Sequence, residues 1–196
     1  MAKNDKQELI VDAALAVFRE KGYSNTRMAD IAKRAGVSYG LVYHYFGSKE
    51  VLFDVIVEGW WNSYYQMLEE QKQSVSDFED KLANIVRFFL YMYANKPDLI
   101  SIFVTEVSRS SIYHTARGLA KFRKSLALCE EIMVDGQKQG ILRKDVGPHY
   151  MAYFFSGAIE AFISILVLGN EPLSKAREER TVNGIIQIFL NGTLAK

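Results

Sequence analysis

The chain predicts an all-α fold of about nine helices, with a three-helix head followed by a larger helical body. Three observations support this. Apolar residues recur at i, i+3, i+4 through almost every segment, the period of a helix with one buried stripe. Only three prolines stand in 196 residues, and a helix interior cannot accommodate that residue. Glycine, or Ser, Thr and Asp, punctuates the periodic stretches where helices stop and start. At 49% hydrophobic and 13% aromatic, the chain has material for a sizeable core.

Residues 6–21 keep the rhythm with Leu9, Ile10, Ala13, Ala14, Val17 and Phe18, and Gly22 ends that helix. Thr26 is placed to cap a second helix, because its hydroxyl can accept from an orphan N–H two or three residues on. Met28, Ile31 and Ala32 form its apolar face through Ala35. Gly36 stops it by taking a left-handed backbone cheaply. Ser38 caps a third helix, with Val42, Leu41 and Phe46 turned inward. A helix, a glycine turn and a second helix outline a DNA-binding helix-turn-helix. Gly40 in a first turn costs roughly 0.5–1 kcal/mol relative to Ala, a cost that close approach of a partner would explain. Tyr43, His44 and Tyr45 are consecutive, so at least one must point outward. Gly47 breaks this helix, Ser48 caps the next, and Lys49 follows in its first turn. A cation there opposes the helix dipole, yet beside a phosphate it and the free N–H groups would act together.

The body begins with a helix over 48–71, whose start belongs to the head. Its Trp60 and Trp61 are adjacent, so one is expected inside and the other near the surface or a pocket. Helices over 76–95, 98–109 and 112–139 follow, the last closed by Gly140. Residues 148–168 and 178–194 form the final pair. The first of these is apolar almost all round, and such a helix must be covered on every side. Its Ile159, Phe162, Ile163 and Leu166, with Val182, Ile186 and Phe189 of the last helix, are therefore expected to form an isologous dimer interface. The most apolar run, 158–168, contains Glu160 and is short for a bilayer span, so no membrane segment is expected.

Charge and motifs exclude several classes. Net charge is +1; residues 1–50 hold eight basic and six acidic residues, the remainder 16 and 17. The sign of that asymmetry suits phosphate contact by the head. The single Cys129 rules out an intramolecular disulfide and points to a reducing cytoplasm. The polar start MAKNDKQE holds no signal-peptide core. No phosphate cradle, GxGxxG, HExxH or CxxC occurs, and His44, His114 and His149 lack metal-ligand spacing. Neither enzyme, cofactor nor metal is expected.

GVSYGLVYHYFGSKEVLF, preceded by NTRMADIAKRAG, resembles the N-terminal signature of TetR-family transcriptional regulators over about residues 9–53. The resemblance implies a helix-turn-helix DNA-binding domain over 1–50 and a ligand-binding and dimerisation domain over 51–196. It also implies a homodimeric repressor on double-stranded, palindromic operator DNA, released by a small-molecule effector. Ser38, Tyr39, Gly40 and Leu41 match positions near base edges. Thr26, Tyr43, His44 and Lys49 match phosphate contacts, with Arg27 beside them. Many members carry an aromatic followed by His where His44-Tyr45 stands, so either of these two could face the phosphate.

A wide apolar effector pocket would be lined by Trp60, Tyr64, Phe88, Tyr91, Met92, Phe103, Tyr113 and Phe155. Glu106, Arg109, Arg117 and Glu160 are its candidate polar handles. Residues from GILRKDV onward look like the fatty-acid-metabolism branch, whose members respond to acyl-CoA thioesters. Arginines on the sixth and seventh helices would suit that ligand's phosphates.

Overall fold

The computed structural model of the chain describes residues 3–107 and 116–193. Among them are nine α-helices and no strand. They are α1 (Lys3–Lys21), α2 (Met28–Ala35), α3 (Tyr39–Phe46), α4 (Lys49–Gln73), α5 (Phe78–Asn95), α6 (Pro97–Ile102), α7 (Ala116–Lys138), α8 (Pro148–Gly169) and α9 (Lys175–Thr193). The expected sixth helix is split. It is α-helical only to Ile102 and continues as a π-helical segment, Phe103–Val107.

Contacts divide the chain into two units, Met1–Asn62 with Asp98–Ser110, and Ser63–Pro97 with Ser111–Lys196. In the first, Ile10, Ala14, Phe18, Ile31, Val42, Leu52 and Phe53 are buried together. Phe53 meets Phe18 edge-on at 5.6 Å and Tyr23 at 4.5 Å. Gly36 (φ 65°) ends α2 in the left-handed region, and the Val37 amide donates back to Ala32 O. That closure sets the tight turn into α3. Arg19 pairs with Asp98 at 2.6 Å, Lys21 with Asp30 at 2.8 Å and Arg34 with Glu20 at 2.8 Å. Trp60 and Trp61 are both buried against Phe103, at 4.8 and 5.3 Å between ring centroids. Neither lies near the surface, because both rings pack on Phe103.

In the second unit α5 packs on α8 and α9, and α7 on α8. Helix α8 is 22 residues, twice the apolar run seen in the sequence. By length and composition alone it could cross a membrane. Its buried residues Met151, Ala152, Phe155, Ile159, Ile163 and Leu166 recur with helical period on one face. Lys81 of α5 is 5% exposed, and its ammonium lies 3.6 Å from Asp135 of α7. Removing the carboxylate leaves a buried cation without its counter-charge. Asp135→Ala is expected to lower stability on the order of 1–2 kcal/mol, less than for a fully buried pair because Asp135 is half exposed. Denaturant titration checks it, and no change in midpoint would show that water replaces the carboxylate.

Candidate nucleic-acid interface

Helix α3 carries two faces. Val42 and Phe46 are buried, while Tyr39, Gly40, Tyr43 and His44 are exposed. Those four lie at i, i+1, i+4 and i+5, which is a single side of a helix. Ser38 is the N-cap, its Oγ accepting from the Leu41 amide at 3.2 Å. Tyr39 and Tyr43 stack at 6.3 Å between centroids with 22° between planes. His44 is fully on the outer face, whereas Tyr45 is half-buried against Phe46. Of the two residues that sequence leaves open, His44 is the more exposed. Leu41 is half-buried, so only part of its side chain is on the exposed side.

Two of the expected phosphate-contacting residues stand differently. Thr26 is 3% exposed and does not cap α2; its hydroxyl donates to Gly22 O at 2.8 Å, fastening the end of α1. The N-cap is Arg27, whose amide donates to Asp30 Oδ2 at 3.0 Å. Two hydrogen bonds, from Lys21 and from the Arg27 backbone, hold the Asp30 carboxyl below its ordinary range. The Lys49 ammonium does not reach outward. It donates to the carbonyls of Tyr23 (2.7 Å), Thr26 (3.0 Å) and Ser24 (3.4 Å), and lies 4.4 Å from the Tyr23 ring centre. The physical reason is local. The segment between α1 and α2 leaves carbonyls without helical partners, and a lysine at the start of α4 supplies three donors to them. Burial, then the adjacent Glu50 carboxylate, push the Tyr23 phenol up to about 12.

Lys49 is thus a strut of the head, and nothing in the sequence marks it as one. Lys49→Met leaves these carbonyls short of a donor at about 1–3 kcal/mol, so the melting temperature is expected to fall by about 2–4 °C for each kcal/mol lost. Calorimetry decides it, and an unchanged midpoint would show the strut to be dispensable.

The expected effector residues fall into separate clusters. In the first unit Trp60 meets Phe103, and Glu106 is half-buried with Oε1 beside Gly22. In the second unit Tyr64 stacks on Phe88 at 6.0 Å and meets Phe89 edge-on at 5.1 Å. The Tyr64 phenol is held in its protonated form by burial and then by the neighbouring Cys129. Ser156 Oγ donates to Cys129 Sγ at 3.7 Å. Neither Cys129 nor Ser156 is distinguishable in sequence from ordinary core. Met92 is buried, but Tyr91 is 57% exposed and Glu160 is exposed, so these two do not line an interior pocket. Phe155 packs instead on Phe189 at 5.1 Å. Arg109, Tyr113 and His114 lie outside the described residues, as does the Arg117 side chain.

The expected dimer residues are mostly inward. Ile159, Ile163, Leu166, Val182 and Ile186 are at most 3% exposed within one protomer, and Phe162 is half-buried. The uncovered surface is the opposite side: Tyr150, Tyr153, Phe154, Ile165 and Leu168 of α8, with Ile188 of α9. Between α8 and α9 runs an apolar groove of about 390 Å³, walled by Tyr150, Phe154, Ala158, Ile185, Ile188 and Phe189. The correction has a simple origin. On a helix apolar all round, periodicity carries no phase, so sequence cannot say which stripe meets its own chain.

A helix-turn-helix with an exposed recognition face, joined to a helical body, defines a DNA-binding transcriptional regulator. Residues 10–56 match the model of bacterial regulatory proteins of the tetR family, and the chain aligns with HTH-type transcriptional regulators. It is 28% identical over 141 residues to the HTH-type transcriptional repressor NicS of Pseudomonas putida, covering 70% of this chain and 66% of that one. It is 23% identical over 188 residues to the fatty acid metabolism regulator protein of Bacillus subtilis, covering 93% and 97%. The fold is that of the transcriptional regulator FadR from Bacillus subtilis in complex with stearoyl-CoA. The TM-score is 0.81 at 21% identity, over 94% of this chain and 98% of that one.

Proposed function

We propose that the chain is a cytoplasmic, homodimeric repressor that leaves a palindromic operator when an acyl-CoA-like effector binds the helical body. The observation that carries the DNA half is the single exposed face of Tyr39, Gly40, Tyr43 and His44 on α3. In this reading residues 1–50 read the operator and 51–196 bind ligand and partner. A second copy covers the outer stripe of α8 and the α8–α9 groove. The exposed Glu160 in the middle of α8 argues against lipid there. The small residues Gly157, Ala158 and Ala161, all on the exposed side, let a partner helix approach closely. Support for the effector comes from the fatty acid metabolism regulator relative and from the stearoyl-CoA complex of the FadR neighbour.

The test is fluorescence anisotropy on an operator selected from random duplex DNA, with and without stearoyl-CoA. Release of the operator by stearoyl-CoA, and not by free coenzyme A, is the expected result. An operator complex indifferent to acyl-CoA would leave a regulator with some other effector, or none.

A further inference from the structure

Resting on the reading of α3 as the recognition helix, we infer that the operator is read chiefly through thymine methyl groups. These seat against Tyr39, Tyr43 and the backbone at Gly40, in place of bidentate hydrogen bonds to purines. Bidentate readers are Arg or Lys on guanine and Asn or Gln on adenine, with Asp or Glu accepting from cytosine. The α3 sequence, YGLVYHYF, contains none of these. The Ser38 hydroxyl oxygen accepts from the Leu41 amide, so it serves the helix start. His44 lies in the last turn of α3, whereas the N-terminal residues of a recognition helix meet the base edges. The exposed cations Arg27, the N-cap of α2, and Lys33, within α2, suit phosphates, which position but do not read.

What α3 does present at its start is apolar and rigid. Tyr39 and Tyr43 are 53% and 57% exposed, yet their rings stack nearly parallel across one helical turn. Gly40 lies beside them and has no reason of its own to be glycine. Its φ is ordinary, and a Cβ there would meet nothing within 4 Å. Alanine would favour the helix, so the bare backbone serves a partner. Two flat rings beside an uncovered stretch of helix make an apolar seat. The C5-methyl of thymine is the apolar group that a base pair offers in the major groove.

The test uses the full chain and an operator selected from a random duplex pool. Each thymine is then replaced by deoxyuridine, which removes the methyl and keeps every hydrogen-bonding group. One or two thymines per half-site are expected to lose about four-fold in affinity each on replacement, the worth of one buried methyl. In Tyr39→Ala, a substitution at an exposed position, that penalty should vanish while circular dichroism stays unchanged. An operator indifferent to deoxyuridine, or one weakened mainly by 7-deazaguanine, would overturn the methyl reading and leave the repressor reading standing. A pool that yields no enriched sequence would overturn both.

Discussion

Ile188→Glu is expected to give folded monomers that no longer hold the operator. Ile188 is 80% exposed in the protomer, so the substitution disturbs nothing inside one chain. In the proposed dimer the same residue walls the apolar groove that the second copy covers, and symmetry places the change there twice. Burying one Ile or Phe side chain is worth about 1.5–3 kcal/mol, and two lost copies weaken association at least about 100-fold before the desolvation of two carboxylates is counted. Phe154→Glu, at 78% exposure, should act the same way. Ile186→Glu makes the contrast. At 2% exposure it places a charge in the core, so it should unfold the protomer and report nothing about association. Sedimentation velocity at low micromolar concentration, with circular dichroism, separates the three. A dimeric, DNA-binding Ile188→Glu protein would place the interface elsewhere.

Operator affinity is expected to fall steeply with salt, but less steeply than a count of basic residues in the head suggests. Arg19, Lys21 and Arg34 are paired with Asp98, Asp30 and Glu20, and Lys49 is engaged by backbone carbonyls. Among the head's cations whose side chains are described, Arg27 and Lys33 remain exposed and Lys6 is half-buried, so with the two exposed ones a dimer neutralises about four phosphates. The slope of log K against log salt is then about −3.6, close to four thousand-fold per decade. Arg27→Gln, present twice in the dimer, should reduce that slope by about 1.8. Anisotropy titrations between low and moderate potassium chloride measure both. A slope near −7 would mean that the paired cations exchange their carboxylates for phosphate, and one shallower than about −2 would remove phosphate contact as the source of affinity.

Much of the head is legible in the sequence because its signals are local. Gly36 and Gly47 stop helices through backbone geometry that few other residues adopt. Ser38 caps α3 with a side chain three residues from its donor. The buried face of Val42 and Phe46 follows from helical period alone. Thr26 and Lys49 were less legible because the groups they serve are set by tertiary contact. The carbonyls that receive the Lys49 ammonium lie 23 to 26 residues away in sequence. A lysine at a helix start looks the same whether it faces a phosphate or its own chain.

The sequence by itself determined that this chain is helical, that it opens with a helix-turn-helix, and that its last two helices carry more apolar surface than one protomer can cover. These are matters of composition and period, readable without coordinates. Only the tertiary structure decided which side of each element is free. It left His44 exposed and Tyr45 half-buried, and buried Trp60 and Trp61 together. It covered Ile159 and Ile186 and left Phe154 and Ile188 bare. Adjacent residues on a helix point about 100° apart, and a helix apolar on all sides has no phase of its own. That phase is supplied by the neighbours it packs against, and they come from distant parts of the chain.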